Sequence, residues 1–198
     1  MTSFAAFLTD IRPLMPAATV MSVIRSARHT TRAFFKETGA YECDFTNTDC
    51  TIAGRVVTLD VPDDTEIISL AVFKHGESTI NPSSKRDMQL NNVGYGFYIT
   101  PPASMTLNFD PSAALSGTAR LIPAYNAVDI PDALFGRYYE TLLNGVMADM
   151  YAMENSAWFD PNKANLRGQQ YAIGVEEAKS EVDGSNMFKP SLAQYRDI

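Results

Sequence analysis

The sequence predicts an α+β fold: a helical bundle of one N-terminal helix and a C-terminal helical hairpin, an inserted antiparallel β-sandwich, and an extended C-terminal tail. Three observations carry this. Asp129-Ile130-Pro131-Asp132 and Asp160-Pro161 are helix-start signals, because an acidic side chain can accept the first free N–H groups and proline's fixed φ costs no hydrogen bond there. Val20, Ile24, Ala27, Thr31 and Phe34 recur at helical spacing near the N-terminus. Between these regions the period shortens to that of strands. The implied organisation is a discontinuous helical domain over residues 1–46 and 126–184, a β domain over 47–125, and a tail over 185–198.

The N-terminal helix follows Pro13 and Pro16, and Gly39 supplies its C-terminal stop. Arg25, Arg28, Arg32 and Lys36 lie on its other side at steps of three and four. Such a stripe is either a nucleic-acid contact or a solvated, ion-paired face, and the second reading is preferred. The acidic end of the last helix is its candidate partner.

The middle of the chain contains Thr51-Ile52, Arg55 to Leu59, Glu66 to Phe73, Tyr95 to Ile99, Met105 to Phe109 and Gly117 to Ile122. These short β-branched or aromatic runs are bounded by turn formers such as Pro62-Asp63-Asp64, Asn81-Pro82-Ser83-Ser84 and Pro101-Pro102, which predicts a small antiparallel sheet domain.

The first helix of the hairpin is expected from Pro131 to Trp158. Leu134, Tyr138, Leu142, Val146 and Met150 form one row at spacing four, beside Phe135, Tyr139, Leu143, Met147 and Tyr151. Each step of four overshoots a turn by about 40°, so the rows wind around the helix and exceed one intramolecular face. Either the helix is central to a bundle, or Tyr139, Leu143 and Met147 pack against a neighbouring copy. The second helix, from Pro161 to about Val182, carries Ala164, Gly168, Tyr171, Val175, Ala178 and Val182 on a narrow small-residue seam. Gly168 and Tyr171 are thereby candidate subunit contacts. Glu176, Glu177, Glu181 and Asp183 oppose the helix dipole and call for a basic partner surface.

Gly184 should stop this helix. Met187, Phe188, Pro190, Leu192, Tyr195 and Ile198 then follow in a segment too short for its own core and more apolar than a plain disordered tail. Docking into a groove of another subunit or protein is the favoured reading.

Composition narrows the function. The 198 residues are 45% hydrophobic, enough for one good core or a modest core plus a β module. No apolar run is long enough to span a bilayer, and Met1 to Leu14 lacks the pattern of a secretory signal. Cys43 and Cys50 read as free thiols, with a disulfide as the alternative. His29 and His75 have no second ligand at zinc spacing. Asp60, Asp63, Asp64 and Glu66 read as a solvated turn without the residue order of an EF-hand calcium loop. No cofactor or metal is expected, and no nucleophile, base and orienter suggest themselves together. The net charge of −7 opposes a grip on DNA phosphates, whereas an acidic surface suits a conduit.

The order of parts resembles the head-to-tail adaptor (connector) proteins of tailed bacteriophages. The resemblance covers the whole chain: Leu14-Met15-Pro16, the helix ending Arg32-Ala33-Phe34-Phe35-Lys36-Glu37-Thr38-Gly39, the inserted β region, Ile130-Pro131 with Leu134, Tyr138 and Leu142, then Trp158, Asp160, Pro161, Ala164 and Tyr171. It implies a non-enzymatic virion protein of the neck, assembled in the host cytoplasm as a ring, commonly of twelve copies, beneath the portal protein. It further implies that Phe188 to Ile198 reaches the portal and that DNA passes through the lumen only as cargo, while the well-developed β insertion would suit contact with distal tail, nozzle or fibre proteins. A tail-completion or stopper protein is the near alternative. A β-sandwich binding module for carbohydrate or protein, with Tyr95, Phe97 and Tyr98 as an aromatic platform, is the distant one.

Overall fold

The structure, a computed structural model, describes residues 1–89 and 94–187. Among them the chain is a mixed α+β protein with five helices and three open sheets. The chain opens with strand β1 (Thr2–Ser3), a 3-10 turn over Phe4–Phe7 and the single turn α1 (Leu8–Ile11). Helix α2 (Val20–Thr38) begins where Thr19 Oγ1 accepts the Ser22 N–H at 3.1 Å. It ends where Gly39, at φ 66°, donates its N–H to Phe35 O, the left-handed stop that the glycine signals.

The β region comprises β2 (Glu42–Phe45), β3 (Cys50–Ala53), β4 (Val56–Leu59), β5 (Thr65–His75), β6 (Ser78–Thr79), β7 (Asn81–Pro82), β8 (Gly96–Thr100), β9 (Ser104–Leu107) and β10 (Leu115–Pro123). The short helix α3 (Lys85–Gln89) lies between β7 and β8. One sheet has the order β2-β10-β5-β6 and the other β3-β4-β9-β8-β7. All pairings are antiparallel except that of β7 with β8. Phe73 of the first sheet meets Phe97 of the second edge-on at 5.0 Å, and Phe45 joins them. Strand β2, which precedes residue 47, pairs with β10.

Two long helices follow, α4 (Asp132–Tyr151) and α5 (Pro161–Met187), preceded by strand β11 (Asp129–Ile130). The start of α4 departs from expectation. Asp129 and Ile130 pair with Ser3 and Thr2, so Pro131 is the N-cap and no side chain caps the helix. Asp132 instead accepts from the Met1 amine at 2.8 Å and the Thr2 hydroxyl at 2.5 Å, and the amine's hydrogen bond is the main reason its carboxyl titrates below the usual range. Helix α4 also ends seven residues before Trp158. Asn155 takes φ 63° in the turn, and Trp158 folds back to donate Nε1–H at 3.0 Å to Met150 O, which also accepts the Met153 N–H at 3.1 Å in the last turn. An indole at helical spacing thus lies outside the helix and bonds back to it. Asp160 behaves as expected, its Oδ1 accepting the N–H groups of Asn162 and Lys163 to open α5. Gly184 does not stop α5, which continues to Met187.

Helices α2, α4 and α5 pack against one another, although α2 is separated from the other two by the whole β region. Buried apolar side chains form one continuous cluster through these helices and both sheets. No helix among the described residues is long and apolar enough to cross a membrane.

Candidate interaction surfaces

The two apolar rows of α4 are covered largely by the chain itself. Row one faces α2 and α5, with Tyr138 packed on Phe34 at 5.0 Å. Row two is met by the N-terminal segment: Phe7 stacks on Tyr139 at 5.5 Å and tilts against Phe135 at 5.3 Å, and Phe4, Phe7, Ile11 and Met15 are fully buried. The Tyr139 hydroxyl donates to Asp10. Met147 is 3% exposed and Leu143 half-buried, both against the common core. Tyr139 and Met147 are therefore packed within the chain, and residues 4–15 cover part of the second apolar row. Phe4, Phe7, Leu8 and Ile11, at helical spacing, are the sequence signal for that cover.

The seam of α5 also faces inward. Val175, Ala178 and Val182 are buried, and Tyr171 sits in the close approach of α4 and α2 near Gly145. Gly168 differs, because nothing in the subunit lies within 4 Å of the place a Cβ would occupy. Of the proposed docking residues, Met187 is the last residue of α5, whereas Phe188, Pro190, Leu192, Tyr195 and Ile198 lie outside the described residues.

Tyr171 and Tyr139 make the structure sensitive to alkali. Burial, the larger cause in both, pushes the Tyr171 and Tyr139 phenols up to about 12, and the neighbouring carboxylates of Glu37 and Asp10 add to it. A tyrosine freed by unfolding ionises near pH 10, so above that pH the unfolded chain holds fewer protons than the native one. Stability is then fully present below pH 10 and falls as pH rises toward 12. The Tyr171 hydroxyl is buried without a hydrogen-bond partner among the described residues. Tyr171→Phe should leave stability at pH 7 unchanged or raised, and should flatten its loss between pH 10 and 12 in urea titrations; an unchanged alkaline slope would refute the assignment.

The cationic stripe and the acidic helix end do not meet as expected. Arg28 Nε donates to Ala127 O at 2.8 Å, and Arg32 donates to Pro123 O and to Glu66 at 3.1 Å, with Tyr125 beneath its guanidinium at 4.0 Å. Glu181 pairs with Arg137 of α4 at 3.0 Å, while Lys179 bridges Glu37 and Glu176, both at 2.8 Å. The acidic end of α5 lies beside the start of α4, so its cation comes from there and from α5 itself. Arg25 and His29 have no hydrogen-bond or ion-pair partner among the described residues. They line a cavity of about 600 Å³ with Arg28, Arg32, Tyr125, Asp149 and Met153. Tyr125, Asp149 and Met153 carried no periodic or motif signal that would bring them to this site.

The outward face of α5 is a second unpartnered surface. Ile173 is 61% exposed and Leu166 56% exposed. Ile173 and Ala172 lie beside Glu176, Glu177 and Glu181 on a shallow, open surface. Glu177 has no ion-pair partner among the described residues.

The β region offers less. Phe97 is 2% exposed and faces Phe73, so Tyr95, Phe97 and Tyr98 do not form one exposed aromatic platform. Tyr95 packs on Phe109 at 4.7 Å beside His75, whose Nε2 accepts the N–H groups of Ser112 and Ala113 at 3.1 and 2.8 Å. His75 is thus a loop organiser, its acceptor nitrogen occupied. Cys43 and Cys50 are free thiols, each pushed up chiefly by burial. Among the described residues no group of three histidine, cysteine or carboxylate side chains is placed to hold a metal ion. Compared with known proteins, the chain matches no family model and no curated protein.

Proposed function

We propose that this chain is a structural protein of a bacteriophage neck: a head-to-tail adaptor that forms a ring, of twelve copies by resemblance, beneath the portal protein. In this reading the packed helices α2, α4 and α5 are a bundle and the two sheets an inserted β-sandwich. The observation that carries the reading is the joining of sequence-distant helices into one unit from which the β region leaves and to which it returns. That order of parts is the one on which the resemblance to the adaptors rests. The unpartnered surfaces on α2 and α5 supply places for lateral contacts. The proposed activity is assembly rather than catalysis. Subunits bind repeated sites on a portal ring through residues 187–198, and local concentration then favours lateral contact. Distal tail, nozzle or fibre proteins bind below, the assembled particle is the virion, and DNA passes as cargo through an acidic lumen that does not retain it.

The test is to mix the purified chain with the portal protein encoded beside it and to read mass by light scattering and shape by negative-stain imaging. Rings on the portal are expected with the full chain. Deleting residues 188–198 should leave a folded subunit that no longer attaches; attachment by the shortened chain would remove the role given to the tail, and indifference of the full chain to the portal would sink the adaptor reading.

A further inference from the structure

The two unpartnered surfaces described above are complementary in charge and in polarity. On α2, Met21, Arg25 and His29 form a ridge at steps of four, and Met21 is 74% exposed. On α5, Ile173 and Glu177 form part of a ridge with the same spacing. Read in the same direction along each helix, an exposed apolar side chain is followed four residues later by an unpaired charge, cationic on α2 and anionic on α5. Ridges of this spacing are the ones that interdigitate when two helices pack. The α2 surface is a cavity lined by three arginines and one carboxylate, with Tyr125 and Met153 as its apolar part. The α5 surface presents the opposite charge and shares no lining residue with it.

We propose that the Arg25 cavity of one subunit receives the Ile173 and Glu177 face of α5 from a second copy of this chain. The proposal rests on the ring reading above and gives its lateral contact. A two-fold contact through either surface alone would set arginines against arginines or glutamates against glutamates, which repel. The contact joins two different surfaces, so it can repeat head to tail around a ring when its rotation closes. Exposed ion pairs are individually weak and screened by salt. The free subunit accordingly associates only at high concentration and low ionic strength, and a template that concentrates copies drives the same contact to completion.

Arg25→Glu and Glu177→Arg variants of the full chain test this by sedimentation velocity at low salt and high protein concentration, with circular dichroism to verify folding. Both side chains are exposed. The wild-type chain should associate weakly and lose association as salt is added, and each variant alone should associate at least tenfold more weakly. An equimolar mixture should recover association, because each variant retains the surface that the other lacks and the altered charges match one another. A wild-type chain that stays monomeric up to its solubility limit overturns the proposal. So do variants that associate like wild type, or a mixture as monomeric as its components. Portal attachment is not read here: its failure beside intact, charge-dependent self-association would remove the adaptor reading alone, and its success beside variants that associate normally would remove only this contact.

Discussion

Phe7→Ala should lower the stability of the isolated subunit by about 3–5 kcal/mol, the range for removing a fully buried aromatic side chain. For a chain of this size that corresponds to a fall in Tm on the order of 10 °C. Phe7 is fully buried between the N-terminal turn and α4, against the rings of Phe135 and Tyr139. Its loss leaves a cavity under the segment that covers the second apolar row of α4, and the short elements around it, β1 and α1, have few hydrogen bonds of their own to hold them in place. Thermal and urea unfolding measure the loss. Exposure should also rise for Tyr139, which amide exchange in residues 4–11 and tyrosine fluorescence would register. A loss below about 1 kcal/mol would mean that the N-terminal segment is not what covers α4.

Gly145→Val should cost about 3 kcal/mol by overpacking. A Cβ at Gly145 would come within 2.5 Å of Thr30 Cγ2 and 2.7 Å of Tyr171 Cδ2, which belong to two different helices. Neither atom can move freely: Thr30 is buried on α2, and the Tyr171 ring is wedged between helices. Gly168→Ala is the matched contrast. The space around Gly168 is open within the subunit, so alanine should stabilise it by about 1 kcal/mol through helix propensity alone. If Gly168 is a seam with another copy, the same substitution should raise the Tm of the monomer while weakening assembly. A Gly145→Val chain as stable as wild type would show that α2, α4 and α5 are not in close contact there.

Legibility in the sequence followed the range of the interactions. Gly39 and Asp160 mark helix ends through hydrogen bonds to residues a few positions away, and these ends stand where local chemistry puts them. The strands were recognisable because β-branched and aromatic runs alternate between turn formers. Errors arose where a local signal was put to distant use. Asp129 and Ile130 pair with the N-terminus instead of capping α4, and Trp158 bonds back to α4 from beyond the helix end. Gly184 is a helix breaker by propensity, yet about 1 kcal/mol of propensity does not by itself end a long helix without a left-handed turn to follow. The acidic end of α5 called for cations, correctly in kind, but found them in Arg137 and Lys179 rather than in the α2 stripe.

The sequence by itself determined the α+β class, the presence of two helices after residue 131, the strand-rich middle and the presence of more apolar surface on α4 than one helix face can bury. Those properties depend on side-chain periodicity and on hydrogen bonds between near neighbours. Only the tertiary structure showed that the N-terminal segment lies on that surface, because Phe7 reaches Phe135 and Tyr139 through a chain path that side-chain periodicity does not encode. It likewise decided which charges remain unpaired. Arg28 and Arg32 are spent on the carbonyls of Ala127 and Pro123 and on Glu66, while Arg25, one turn earlier on the same helix, makes no ion pair among the described residues although Asp149 lines the same cavity.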